Sequence, residues 1–176
     1  MSSTAIEIKE PTSSEIKEIK FAQPRDITQI VAFGYKTFEE NSLEEFGLLP
    51  DFTKMLANVA DWVINDAVLV KRNKDDDRLI DGVIALQNSK IWWSEKECLA
   101  ASLFYITPEK RSFTLARDLL KAAQEYAIMY KVPLIVDLVD NREKSVKLKQ
   151  KLLRYLGFIE VGSLFIFNKS DNSKKD

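Results

Sequence analysis

An apolar run at residues 98–106 (CLAASLFYI) stops at Pro108, passes Arg111 and gives way to a helical period from about residue 114. A strand that delivers the chain to a helix N-terminus leaves backbone N–H groups without acceptors there, and the helix dipole adds partial positive charge. Such a junction binds anions, phosphates above all. An absence restricts the rest of the chemistry. The chain contains no histidine, which removes a Ser-His-Asp triad, a Cys-His dyad, histidine zinc sites and imidazole general-base catalysis. Carboxylates, tyrosines, backbone amides or a bound cosubstrate must carry any reaction. Cys98 is the single cysteine, so no internal disulfide forms and a reducing compartment suits the chain. With no histidine to activate it, Cys98 reads as a small buried hydrophobe.

Other polar clusters have ordinary readings beside their chemical ones. Asp75, Asp76 and Asp77 are adjacent and lack the spaced ligands and turn glycine of a calcium loop. They read as a solvated turn, and no metal is expected. Arg142, Lys144, Lys147, Lys149, Lys151 and Arg154 stand against one acid, Glu143. They form either an anion-binding face or the solvated side of an amphipathic helix. Trp92 and Trp93 point opposite ways on an extended chain, one to the core and the other to a pocket or contact surface.

The elements that must position these residues alternate along the chain. Residues 18–22 read as a short strand. Asp26 is a candidate N-cap for a helix running to about Glu40, with Ile27, Ile30, Val31, Tyr35 and Phe38 at helical spacing and Gly34 weakening it slightly. Asp51 is a candidate cap for a second helix carrying Phe52, Met55, Leu56, Val59, Trp62 and Val63. Residues 67–71 and 79–87 form a hairpin around the polar turn 73–78, and residues 88–97 are a loop or strand extension. The run 98–106 is a central strand. A helix over about 114–130 buries Ala116, Leu119, Leu120, Ala123, Ala127 and Tyr130. The strand 132–139 follows it, so a parallel crossover is expected. A helix over about 143–156 turns Leu148, Leu152, Tyr155 and Leu156 inward and ends at Gly157. Strands at 158–161 and 164–167 close the order β-α-α-β-β-β-α-β-α-β-β, an α+β fold with a mixed sheet.

At 176 residues and 20.2 kDa, with 45% hydrophobic and 30% charged residues, this is one ordinary domain. Residues 1–16 and 169–176 read as tails around a domain at 17–168. No apolar run nears ~18 residues, so no membrane span is expected, and residues 1–20 lack the apolar core of a secretory signal. The cytoplasm is the expected location. A net charge of −1 gives no electrostatic reason to expect nucleic acid as a partner.

The element order, with LFYITPEKRSFTLARDLL at 103–120 and RYLGF at 154–158, resembles the GCN5-related N-acetyltransferase (GNAT) superfamily. That family shows a strand, x-Pro-x-x-Arg and Gly-x-Gly/Ala opening a helix, and later a Gly-Phe after its fourth helix. The resemblance covers roughly residues 18–167 and is strongest over 98–167. The strand exit looks most like bacteriophage members. The resemblance implies a mostly antiparallel, twisted mixed sheet of 6–7 strands flanked by about four helices, with acetyl-CoA as cosubstrate. It implies that the backbone of Arg111, Ser112, Phe113, Thr114, Leu115 and Ala116 holds the pyrophosphate. The pantetheine arm would pair, strand-like, near Tyr105, Ile106 and Thr107, on an edge exposed where the family splays its central strand from the next.

Three positions depart from the family pattern. Thr114 replaces the first glycine, a residue type that serves close approach and unusual φ. The strand reads Ala100, Ala101, Ser102 and Leu103 where the family often carries a carboxylate base, so the nearest acids are Glu95 and Glu97, acting through a water or merely solvated. Leu153 stands where the family often has its tyrosine acid, and Tyr155 lies two residues on, either protonating a departing thiolate or serving as a core aromatic. Two functions stay open at this point. One is direct acetyl transfer from acetyl-CoA to an amine on a small molecule or a protein, helped mainly by proximity. The other is a binding or structural protein that keeps this fold without activity, for example a phage virion or assembly component. A second copy of the chain also remains open as a partner.

Overall fold

The computed structural model describes residues 18–90, 95–137 and 143–161. Nine elements make up the main order: β1 (Ile19–Phe21), α1 (Ile27–Glu40), α2 (Phe52–Ile64), β2 (Val68–Arg72), β3 (Ile80–Lys90), β4 (Glu97–Ile106), α3 (Phe113–Tyr130), β5 (Leu134–Val136) and α4 (Glu143–Tyr155). The described strands form one sheet in the order β1-β2-β3-β4-β5. The first three pairings are antiparallel, and β4 pairs with β5 in parallel across the α3 crossover, as a strand–helix–strand connection requires.

The sheet separates two apolar layers. On one face, Val68, Val70, Val83, Ala85, Leu103 and Tyr105 meet Ile30, Val31 and Phe33 of α1 and Val59 and Val63 of α2. On the other, Leu69, Ile84, Leu86 and Leu99 meet Leu119, Leu120, Ala123 and Ala127 of α3 and Leu152 of α4. Two glycines allow close packing. A Cβ on Gly82 of β3 would lie 2.9 Å from Leu119 Cδ1, so α3 rests almost on the strand backbone. A Cβ on Gly34 would lie 2.8 Å from Met55 Cε, where α1 crosses α2.

Several expectations need correction. Five strands, not 6–7, lie among the described residues. Residues 158–161 form no strand, and residues 164–167 lie outside the described residues, as do Trp92, Trp93 and Arg142. Among the described residues the fifth strand covers Leu134–Val136, and residues 138 and 139 of the expected 132–139 lie outside them. Asp51 does cap α2, accepting from the Lys54 N–H at 3.0 Å. Asp26 does hold the N-cap position of α1, but its side chain makes no capping bond there. Its carboxylate turns inward, only 2% exposed, accepts from the Gln23 N–H at 2.7 Å and takes both terminal nitrogens of Arg72 at 3.1 and 2.6 Å. On α4, Leu148 and Tyr155 are exposed rather than buried, while Leu152 does enter the core.

The three aspartates sit in a turn organised by Asn73, whose side-chain oxygen accepts from the Asp75 and Asp76 N–H groups. Hydrogen bonds from Arg78 hold the Asp76 carboxyl down to about 2. Among the described residues no group of three or more metal-ligating side chains is assembled, and no helix is long and apolar enough to cross a membrane.

Candidate functional site

The site begins at an irregularity in β4. Ala85 pairs with Leu103 but Leu86 pairs with Ala101, so Ser102 is an extra residue in the ladder, a β-bulge. A bulge bends and twists its strand and reverses which face each later residue meets. Before it, Leu99 and Ala101 face the α3 layer; after it, Leu103 and Tyr105 face the α1–α2 layer. The pairing with β5 ends at the same place. It covers Leu99, Ala100 and Ala101, and beyond that pair β4 has no strand partner on this side among the described residues.

Among the described residues that leaves an open edge from Ser102 to Ile106. The Thr107 N–H donates to Asp81 O at 2.9 Å, toward β3. By the alternation of an antiparallel ladder, Tyr105 also directs its backbone groups to β3, whereas Phe104 and Ile106 direct theirs to the open side. Of Tyr105, Ile106 and Thr107, the residues named for that pairing, Ile106 thus directs its backbone groups to the open side, while Tyr105 and Thr107 direct theirs to β3. The Ile106 carbonyl is already engaged, accepting from Arg111 Nε at 3.1 Å.

The chain then turns through Pro108–Lys110 and enters α3. Ser112 is the N-cap in extended conformation, and its Oγ accepts from the Leu115 N–H at 3.2 Å. The Ala116 N–H donates to Ser112 O at 3.1 Å. Of the six backbone groups named for the cradle, Arg111, Leu115 and Ala116 donate their N–H groups within the turn and helix start, and those of Ser112, Phe113 and Thr114 have no acceptor among the described residues. Thr114 lies in the exposed first turn, and the positive-φ residues lie elsewhere in the chain. The backbone here does not require the glycine that Thr114 replaces.

Side chains from two further elements, α4 and α1, meet this junction. Tyr155 of α4, 43% exposed, packs edge-on against Phe113 with ring centroids 5.7 Å apart. Tyr105 stacks on Phe33 of α1 at 5.0 Å, and its hydroxyl donates to Glu40 Oε1 at 3.1 Å. Burial first, and then that hydrogen bond, raise the Tyr105 phenol above its ordinary pKa. Arg111 Nη2 donates to both oxygens of Glu40, at 2.6 and 2.7 Å. Glu40 has no part in the motif at 103–120. Its signal is spacing: seven residues from the buried Phe33, it shares that face of α1.

Glu97 is not brought to this cluster. It opens β4 while the junction follows Ile106, a strand length of about 30 Å. There it lines a shallow depression with Lys96, Lys131 and Pro133. Glu95 is an exposed residue just outside the same end. Cys98 is buried and lies within 3.3 Å of Ser89 O.

Solved structures share this α/β layer architecture. The chain is similar to a predicted acetyltransferase from Clostridium acetobutylicum solved with acetyl-CoA, at 14% identity over 87% of this chain and 96% of that one, with a TM-score of 0.60. An acetyltransferase of the GNAT family from Listeria monocytogenes matches at 17% identity over 84% and 89% of the two chains, with a TM-score of 0.57. An aminoglycoside antibiotic 6'-N-acetyltransferase from Acinetobacter haemolyticus matches at 16% identity over 86% and 97%, with a TM-score of 0.56. No protein-family model matches the chain, and no curated protein matches it significantly by sequence. At these identities the likeness is one of fold: the architecture is that of GNAT acetyltransferases.

Proposed function

We propose that the protein is an acetyl-CoA-dependent N-acetyltransferase that modifies an amine by direct transfer. The observation that carries this reading is the coincidence of the Ser102 bulge with the end of the β4–β5 ladder, shortly before a helix entrance, Ser112 to Thr114, whose N–H groups have no acceptor among the described residues. A thioester with a long amide-bearing arm and a diphosphate suits that arrangement. Phe113 and Thr114 N–H groups take the diphosphate, and Phe104 with the Ile106 N–H pairs the arm's amides. The cosubstrate supplies an activated acetyl group. The protein supplies alignment, which by itself accounts for a large share of such a rate.

Isothermal calorimetry with coenzyme A and acetyl-CoA is the first test. Heat with either, lost or weakened in Arg111→Ala and retained in Thr114→Gly, supports the reading. No heat and no thermal shift with either ligand overturns it.

The pH dependence follows from the missing base. Glu97 is remote, so the acceptor must lose its proton to water. A lysine-like amine has a pKa near ~10.4, so the reactive fraction rises about tenfold per pH unit from 7 towards 9. Rates should climb accordingly without a plateau. Tyr105, with its pKa raised, keeps its proton over this range and does not shape the curve. Glu97→Gln should leave the profile unchanged. A plateau near neutrality that disappears in Glu97→Gln would restore Glu97 as the base.

A second reading is favoured by the Ser112 cap, which withdraws the Leu115 N–H from any ligand. It is a binding or assembly protein of this fold without activity, whether of phage origin or not. Binding of acetyl-CoA with no turnover on a broad amine panel would select this second reading.

A further inference from the structure

Glu40 occupies an electrostatically poor position. It is the last residue of α1, whose final turn carries no basic residue, and a carboxylate at a helix C-terminus faces the negative end of the dipole. What holds it there is Arg111, 71 residues away in sequence. Both contacts come from the single nitrogen Nη2, so the pair lacks the two-nitrogen fork of a strong Arg–carboxylate bridge. The guanidinium also lies over the Tyr105 ring, 5.5 Å from its centroid. Its side chain is 41% exposed and that of Glu40 28%. Such a pair is worth little in water and yields to a better competitor. A diphosphate at Phe113 and Thr114, two residues along the chain from Arg111, is one, because it carries more charge and matches guanidinium geometry.

Resting on the acetyl-CoA reading, we propose that Arg111 is shared between two sites: it holds Glu40 when no donor is bound, and a diphosphate at the start of α3 draws it away, leaving the Glu40 carboxylate to hold a cationic group of the acceptor other than the amine that reacts. The acceptor class is then a molecule with a second cationic group besides the reacting amine and no carboxylate beside that group. Glu40 is the acceptor-binding residue, and Arg111 is a positioning residue that couples donor to acceptor. Tyr105 keeps the carboxylate aimed at the open edge of β4 through its hydroxyl once Arg111 has moved.

The test is a double-mutant cycle on ligand affinity, read by calorimetry with coenzyme A and, separately, inorganic pyrophosphate. Glu40→Gln should bind each about three- to tenfold more tightly, since it removes the competitor for Arg111. In the Arg111→Ala background the same change should alter affinity by less than about twofold. A gain that persists without Arg111 reduces Glu40 to a distant charge and overturns the sharing, as does weaker binding in Glu40→Gln. Thermal melts of all four proteins separate these outcomes from misfolding, and Glu40→Asp provides a smaller perturbation if Glu40→Gln is unstable. With amine acceptors that carry a second cationic group, Glu40→Gln should raise KM at least tenfold with kcat within about threefold. An unchanged KM overturns the acceptor role. If the wild type binds neither probe, the acetyl-CoA reading itself fails, a result distinct from binding without coupling, and this inference falls with it.

Discussion

Thr114→Glu is expected to abolish donor binding, by more than about a hundredfold, in a protein at least as stable as the wild type. Thr114 is exposed in the first turn of an 18-residue helix, where a carboxylate interacts favourably with the dipole, by about 0.3–1 kcal/mol. The same carboxylate would stand where a diphosphate must approach the Phe113 and Thr114 N–H groups. A like-charge pair at ~4 Å costs about 4 kcal/mol at the effective dielectric of a protein surface, and a hundredfold loss needs only about 2.7 kcal/mol. Stability and binding are therefore predicted to move in opposite directions, which no general unfolding effect produces. Thermal denaturation and coenzyme A calorimetry on the same samples check it. Wild-type affinity in Thr114→Glu would place the diphosphate elsewhere and remove the α3 entrance from the site.

The largest effect on stability is expected at Asp26. Loss of an ordinary helix cap costs about 1 kcal/mol. Removing one partner of a buried ion pair costs about 3–5 kcal/mol, because the other charge is stranded. Asp26 makes both bonds to Arg72 inside the protein, besides the one from the Gln23 N–H. Asp26→Ala should therefore lose about 3–5 kcal/mol in urea denaturation, a large share of the roughly 5–15 kcal/mol that holds a domain together. Asp26→Leu with Arg72→Met should recover much of the loss, since neither charge is then left without its partner. A loss near 1 kcal/mol for Asp26→Ala would mean that the pair with Arg72 contributes little and that the residue acts mainly through the N-terminal turn.

Both experiments probe groups whose roles differ from their local sequence signals. Asp26 stands where a cap belongs, immediately before α1, yet Arg72 on β2 claims its carboxylate. Tyr155 and Leu148 share the apolar period of α4, but the face that α4 offers the sheet is narrow: Leu152 is buried while Leu148 is 62% exposed. Periodicity reports an amphipathic stripe without its width, and neighbouring helices decide how much of the stripe is covered. Residues 158–161 have the composition of a strand and form none, because a strand exists only through its partner.

The residues alone determined the four helices and the order of the first five strands. They also determined the anion-ready passage from β4 into α3 and, through the missing histidine, the chemistry the protein cannot use. Those features follow from local causes: side-chain period, the Asp51 cap, Pro108 ending a strand and the φ preferences of a few residues. Tertiary structure alone decided the site's working parts. The Ser102 bulge exists only as a mismatch in counting between β3 and β4, and the open edge only as a pairing with β5 that stops. It also decided that Glu40, from the far end of α1, reaches Arg111, 71 residues away. Each of these is a relation between separate segments of the chain, which the period and composition of either segment alone do not report.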